Sequence, residues 1–494
     1  MSLCRLLRLL AWFVVILFDQ VAFPQVVLDL DQSFRTGMQV IYVASVLPVA
    51  EGGVVVSGRF RFPGLDGERR SARLLPSGEL DLVYYNSGLG GGALKVWSNG
   101  LVYVGTTQTV RRLLSNGHQD PTFIEMNLGR YFTSLQGGDY HVYSDGRVLM
   151  SGAHVLSDSI RGFEGLYSLI WFSNEGYLDT TRTHRLCNGV IYAIDEQPDG
   201  KFLCTGTMTT YGGQPVGRVF RVEGDGTLDP SFVAEVQALG EAYEYHTLND
   251  GRILIGGTLR AIGSSQVRSL IRLRNDGSMD QSFNLLDFEA TYTPSQIPSV
   301  SAIHELSADR FIIAGAFDKI NGQDRGGIAM IDSSGNLVDG VFDGLGCGAY
   351  DYVVPSGSTT YKSLAGIVPS NDGGYFIYGA YHGYDDGTTN DTTQRMVSKL
   401  YGLSVGVQEE GLPVEQARVR AFPNPCTTHC TVQVEQGALK GTLSLLDLSG
   451  RVVRRWPMTN NITALGTTGI AAGNYRLQYR TEQTLESILL MISP

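Results

Sequence analysis

Positive charge is in the minority. Lysine and arginine number 38 against 49 aspartates and glutamates, a net charge of −11. No basic stripe is present, so the electrostatic footprint of a nucleic-acid binder is missing. Cysteine is scarce, with 6 in 494 residues. Cys4 belongs to the leader described below, and Cys187, Cys204, Cys347, Cys426 and Cys430 remain. An odd number in a chain long enough for an ample core excludes a disulfide-built scaffold. Long apolar runs are missing too. Only Leu9–Phe18 is unbroken, and as a helix it spans about 15 Å, half a bilayer core. No serine nucleophile elbow, His-Glu-x-x-His helix, phosphate loop or dinucleotide fingerprint occurs, which removes the enzyme classes built on them.

Glycine, by contrast, is abundant. Its 61 copies exceed the usual share of about 7% and point to many tight turns between short strands. A 43% hydrophobic content excludes a mainly disordered chain. The length suits one large β domain with a smaller companion. Arg5 and Arg8 before the short apolar run read as a signal peptide over 1–24, matured between Ala22 and Gln25, and the mature chain is expected to carry no transmembrane segment.

The middle of the chain repeats. Asn275-Asp276-Gly277-Ser278-Met279-Asp280-Gln281-Ser282-Phe283 matches Gly224-Asp225-Gly226-Thr227-Leu228-Asp229-Pro230-Ser231-Phe232. Weaker copies place marker aspartates at Asp31, Asp81, Asp120, Asp179 and Asp339, on average about 50 residues apart, a propeller-like period. Between them, apolar residues lead into a glycine seven times, as in Val54–Gly58, Phe202–Gly206 and Ile253–Gly257. Such runs are strands covered on both faces. Asp-Gly turns precede most of them and supply the positive φ of tight hairpins. The unit is four strands, one blade, and the Asp-x-Ser-Phe phrase closes it.

The ends complement each other. The seventh apolar strand, 375–379, is followed by Met396–Tyr401 but by no Asp-x-Ser-Phe, while the first copy of that phrase, at 31–34, follows no apolar strand. The N-terminal segment is therefore predicted to complete the seventh blade and close the ring. The expectation is an all-β chain: a seven-bladed β-propeller over 26–402, a linker over 403–414 and a small β-sandwich over 415–494. The short unit at 92–123 leaves six or eight blades as alternatives.

The copies resemble the delta-60 repeat family, best in Gly256–Phe283 and Ala314–Phe342, through Ile271-Arg272-Leu273, Phe317, Asn321-Gly322 and Arg325. The blade at 138–182 departs, with Arg182 in place of Phe. The resemblance implies a propeller and an extracellular location, with no single activity. After residue 415, Pro423-Asn424-Pro425, then Leu445-x-Asp447-x-x-Gly450-Arg451-x-Val453, then Gly473-Asn474-Tyr475-Arg476-Leu477 resemble the sorting domain of type IX secretion cargo. That implies recognition by the type IX machinery and a location outside, or on the outer-membrane surface of, a Gram-negative cell. The chain ends Met491-Ile492-Ser493-Pro494, where such domains often carry a basic residue.

Candidate chemistry is sparse. Counting back from each apolar strand gives His141, Asp195, His246 and His304 in successive blades, with Leu47, Leu94 and Val368 in the others. Equivalent positions surround the axis, so these four could converge as ligands of a divalent metal; the competing reading is strand-end hydrogen-bonding residues. Gly224, Ser115, Asn275 and Ser333 fill the same turn slot, and Asp225 follows it, so the turn needs a turn former rather than calcium. The best local calcium candidate is Asp385-Asp386-Gly387 with Asn390-Asp391. Cys426, His429 and Cys430 lack the second ligand pair of a zinc site. Tyr350, Tyr352, Tyr361, Tyr381 and Tyr384 lie in the long insertions 343–362 and 380–394, where they either contact a ligand or pack on their own blade. The functional expectation is a binding or adhesion module for glycans or surface proteins, with no cofactor. The alternatives are a hydrolase or lyase acting on polysaccharide and a structural surface-layer component.

Overall fold

The computed structural model describes residues 28–401, apart from 51, 87, 98, 125–130 and 294–295, and residues 419–434, 441–446, 452–458, 460–481 and 485–493. The signal segment, the linker and sorting-motif residues Asp447, Gly450 and Arg451 lie outside the described residues. The chain divides into two units, 1–405 and 406–494. Every named element is a strand.

In the first unit seven sheets carry the repeat. Their first strands are Ile41–Pro48, Leu94–Val96, Phe132–Val142, Ile191–Glu196, Val236–Thr247, Ser299–Ser307 and Ser363–Pro369. Each pairs antiparallel with an apolar strand that ends at or passes through the glycine identified in sequence. A third antiparallel strand follows. Burial explains the composition of the middle strands. Val54 and Val56, Ile253 and Ile255, and Ile312 and Ile313 are all at or near zero exposure, and each such side chain contributes about 1.5–3 kcal/mol by leaving water. Leu203 and Val219 of the fourth sheet share one cluster with Ile253 and Ile271 of the fifth, so neighbouring sheets pack face to face. First strands touch in chain order, and the seventh touches the first.

The fourth strand is shorter than expected. It is a single bridging residue: Leu80, Gln119, Leu178, Leu228, Met279 and Leu337 each pair with the end of the third strand. In the seventh sheet that residue is Leu30, which bridges Leu400. Asp31 N donates to Lys399 O (2.8 Å) and Tyr401 N to Asp29 O (2.8 Å). The N-terminal segment thus completes the last sheet, and Phe34 packs edge-on against Phe376 at 5.3 Å.

The turns also join sheets. In several sheets the residue after the closing aromatic hydrogen-bonds the next sheet's turn: Tyr85 N to Asn116 O, Val233 N to Asp276 O and Asn284 N to Ser334 O. Gly277, at φ 90°, lies against Val233, where a Cβ would meet the carbonyl carbon at 2.6 Å. Only glycine suits both the angle and the approach.

The second unit has a three-stranded sheet (Val419–Phe422, His429–Val434, Ile462–Gly466) and a four-stranded one (Val452–Met458, Gly441–Leu446, Gly473–Arg480, Leu485–Ile492). Val432 and Leu465 of the first share one apolar cluster with Leu443, Leu477 and Leu490 of the second.

Candidate functional site at the axis

The repeat phrase builds the frame for this site. Asp280 accepts hydrogen bonds from the Ser282 amide (3.1 Å) and hydroxyl (2.7 Å), fixing the turn. Its other oxygen accepts from Arg272 Nε at 2.7 Å, both side chains being buried. The Arg272 guanidinium lies 4.8 Å from the centre of the Phe283 ring and donates to Ser333 O of the next sheet. Arg221 with Asp229 and Phe232, and Arg112 with Asp120 and Phe123, repeat this arrangement. The serine and phenylalanine of the phrase were visible in sequence; the arginine eight residues upstream was not assigned a partner. In the third sheet the roles are exchanged. Trp171 holds the arginine slot and Arg182 the aromatic slot, with the guanidinium 5.3 Å from the ring and 3.5 Å from Asp179. The departure at Arg182 therefore preserves the contact.

Strand register identifies the equivalent axial positions. His141, Asp195, His246 and His304 pair with Leu149, Leu203, Leu254 and Ile312. In the second sheet the matching pair is Lys95 with Tyr103, so Lys95, and not Leu94, holds the slot; the short strand shifts the sequence count by one. The four candidates do not meet as one group. His141 Nε2 lies 3.4 Å from Glu196 on the next sheet. His246 Nε2 lies 2.9 Å from Glu305 on the next. His304 sits edge-on to Tyr375 at 5.4 Å. Among the described residues no group of three or more histidines, cysteines and acids is arranged to hold a metal ion. Burial pushes His141 down to about 4, aided by Lys95, which keeps the imidazole neutral at pH 7.

Asp195 joins a different constellation. Lys95 Nζ lies 3.3 Å from Asp139 Oδ1 and donates to Tyr140 O. Burial raises Asp195 to about 7, against the pull of Lys95 and with the push of Asp139 and Glu196. Burial raises Glu244 to about 8, reinforced by Asp195 and Asp139 and opposed by Lys95. Tyr378, raised first by burial, also feels Glu244. These residues come from the second, third, fourth, fifth and seventh sheets. Asp195 and Glu244 thus each feel Lys95 and Asp139 from other sheets of the ring. Gly366 makes room, since a Cβ there would lie 2.3 Å from Tyr378 Oη. Of the three carboxyls, Asp139 is the one in contact with the ammonium, and Asp195 and Glu244 feel its charge. Neither Lys95, Asp139, Glu244 nor Tyr378 was singled out in sequence; a count anchored on strand pairing would have found Lys95.

The other candidates fall elsewhere. Tyr381 and Tyr384 are buried, at 0% and 1% exposure, in the core that also holds Leu364 and Leu400. The 380–394 insertion is not a loop but an extension of the last two strands, Tyr375–Asp385 and Asn390–Leu400, and this draws both rings inward. Tyr350 and Tyr352 lie on a separate hairpin, Tyr350–Val354 with Gly357–Tyr361. Tyr350 stacks on His382 at 3.9 Å and Val353 is 72% exposed. In the calcium candidate, Asp386 accepts from the Leu30, Thr388 and Thr389 amides. Asp391 accepts from Thr393 and pairs with Arg35. These carboxylates fasten the closing segment. In the second unit, Asn424 Oδ1 accepts from Met491 N (2.8 Å) and Tyr475 Oη donates to Ala471 O (2.7 Å). Gly473 opens the strand carrying Tyr475. Pro423 and Pro425 flank Asn424 in the bend after Val419–Phe422.

Residues 197–232 and 248–283 match the family model of a β-propeller domain of unknown function, DUF5122. Residues 420–492 match the secretion system C-terminal sorting domain. The chain is thus a β-propeller protein with a type IX sorting tail, exported to the cell surface or secreted. No curated protein matches it. Among solved structures it is similar to the extracellular domain of a protein described as a hybrid two-component system of B. thetaiotaomicron. That match has 10% identity, covers 92% of this chain and 56% of that one, and has a TM-score of 0.37. It is also similar to PorZ, described as an essential surface component of the type IX secretion system of Porphyromonas gingivalis (11% identity, 90% and 68% covered, TM-score 0.32). A third is regucalcin, described as a calcium-binding protein, from Agrobacterium tumefaciens (12% identity, 63% and 97% covered, TM-score 0.34). The chain spans less than two thirds of the length of the first of these. No helix of the described residues is long and apolar enough to cross a membrane.

Proposed function

We propose that the exported propeller is a binding module that takes a polar ligand, a glycan or the polar surface of another protein, at its axis. The supporting observation is the convergence of Lys95, Asp139, Asp195, Glu244 and Tyr378 from five sheets. Carboxyls held near neutral both donate and accept hydrogen bonds at pH 7. Sugar hydroxyls and amide groups demand that dual capacity. The exposed hairpin carrying Tyr350 and Tyr352 adds a second contact surface beside the first sheet, where the Tyr350 hydroxyl donates to Ile41 O. The binding reading needs no cofactor.

A catalytic reading has one observation in its favour. Asp195 at about 7 and Glu244 at about 8 lie where a general acid for polysaccharide cleavage would lie. A glycan array read for both binding and product release, with and without chelator, separates the two. Specific retention without turnover, unaffected by chelator, is the expected result. Product formation that disappears in Glu244→Gln installs a hydrolase or lyase instead. Silence in both channels, against protein partners as well, leaves a structural role.

A further inference from the structure

Cys426 and Cys430, in the second unit, are free and buried, at 2% and 0% exposure, within one apolar cluster. They belong to different sheets. Cys426 follows Pro423-Asn424-Pro425 and lies along the last strand: its amide donates to Met491 O (2.9 Å) and its carbonyl accepts from Ser493 N (2.7 Å). Cys430 sits opposite Leu465 in the three-stranded sheet. A straight strand would hold residues four apart at about 13 Å. Here the chain bends at Thr427 and Thr428, whose carbonyls accept from the Thr467 hydroxyl and amide, each at 2.9 Å. The bend places both side chains in the same apolar cluster, with Cys426 close enough to bear on the Cys430 thiol. Cys187 and Cys204 are also neighbours, but the Cys204 sulfur is 3.8 Å from Phe202 O.

We propose that Cys426 and Cys430 are joined by a disulfide in the exported protein, stapling the two sheets of the sorting domain immediately after its Pro-Asn-Pro segment. This rests on the export reading, because disulfides persist in the oxidising cell envelope. The oxidant is a protein or small-molecule disulfide. One cysteine thiolate attacks it, forming a mixed disulfide and expelling one thiol. The second thiolate then displaces the other thiol. Two cysteines lose two protons and two electrons, and the oxidant gains them as two thiols. Burial, with the neighbouring Cys426, pushes the Cys430 thiol up, so exchange is favoured once the bend has formed but while the pair is still open to solvent.

The full chain, reduced and unfolded, is refolded in a glutathione buffer of envelope-like poise, blocked with a maleimide in denaturant so that buried thiols are reached, and digested with trypsin. Both cysteines fall on one peptide, residues 421–440. We expect that peptide to be unlabelled, two hydrogens lighter than its reduced form, and to take two labels after reduction. Two labels before reduction overturn the proposal. In Cys426→Ser, Cys430 is expected to be labelled fully; an unlabelled Cys430 there reveals another partner and overturns it equally. The same peptide from chain exported into a bacterial periplasm gives a reading that needs no refolding. Glutathione supplies the oxidant in the first assay, so its outcome is independent of whether export occurs.

Discussion

At the scale of residues, the buried Arg–Asp pairs carry the repeat. Burial alone would raise Asp280, but the Ser282 hydroxyl and amide and the Arg272 guanidinium overcome it and hold the carboxyl well below the usual range. Asp280→Ala leaves Arg272 buried without its partner and should cost about 3–5 kcal/mol, read as a lowered midpoint in urea. The same depression in Asp229, Asp120 and Asp81 sets the acid response. Their stabilisation is complete above the unfolded pKa near 3.9 and is lost as pH falls toward the folded values. The axial carboxyls behave oppositely. Glu244, raised to about 8, ionises first in the unfolded chain, so it costs stability as pH rises from about 4.5 to 8. Glu244→Gln should therefore be more stable than the parent at pH 8, by roughly 1–2 kcal/mol given that Glu244 is only half-buried, and equal to it near pH 4. Thermal unfolding across pH 4–9 checks the crossover. The marker aspartates were legible because a turn former, a small hydroxyl and an aromatic recur at fixed offsets. Of the axial carboxyls only Asp195 was, from its place in the strand count; Asp139 and Glu244 share no phrase with it.

At the scale of elements, register decides what the residues do. Most sheets follow the sequence count, since the apolar run and its following turn fix strand pairing. The sixth sheet slips. Val338 N, not Asp339 N, donates to the carbonyl of the third strand (Met330 O, 2.9 Å), and Asp339 stands 77% exposed beside Arg325 at 3.4 Å. A marker read by composition was thus one residue out of place, although the turn glycine stands four residues before Asp339 and three before Asp229 and Asp280. The closing strand, in contrast, was readable from paired defects at the two ends of the repeat. Its weight is large: Leu28, Leu30 and Phe34 are all buried at 3% or less. Deleting residues 28–34 should expose the edge at Asn390–Leu400 and abolish a single cooperative melt, with aggregation visible by size exclusion. An unchanged melting temperature would contradict the closure.

At the scale of the whole molecule, a ring that buries its own edges is joined in one chain to a tail that directs export. The ring holds the axial groups and the Tyr350 hairpin proposed for ligand contact, and the tail holds the phrases that match a sorting domain. The tail was legible because three short motifs stand in a fixed order. The ligand was not, because propellers assemble binding groups from strands far apart in sequence. The ligand proposed for the axis is accordingly one met outside the cell. Fractionation of a type IX-competent host expressing the intact chain, or the chain without residues 415–494, tests this directly. We predict the intact protein at the cell surface or in the medium and the shortened one trapped inside the envelope. Equal appearance of both outside the cell would contradict the account.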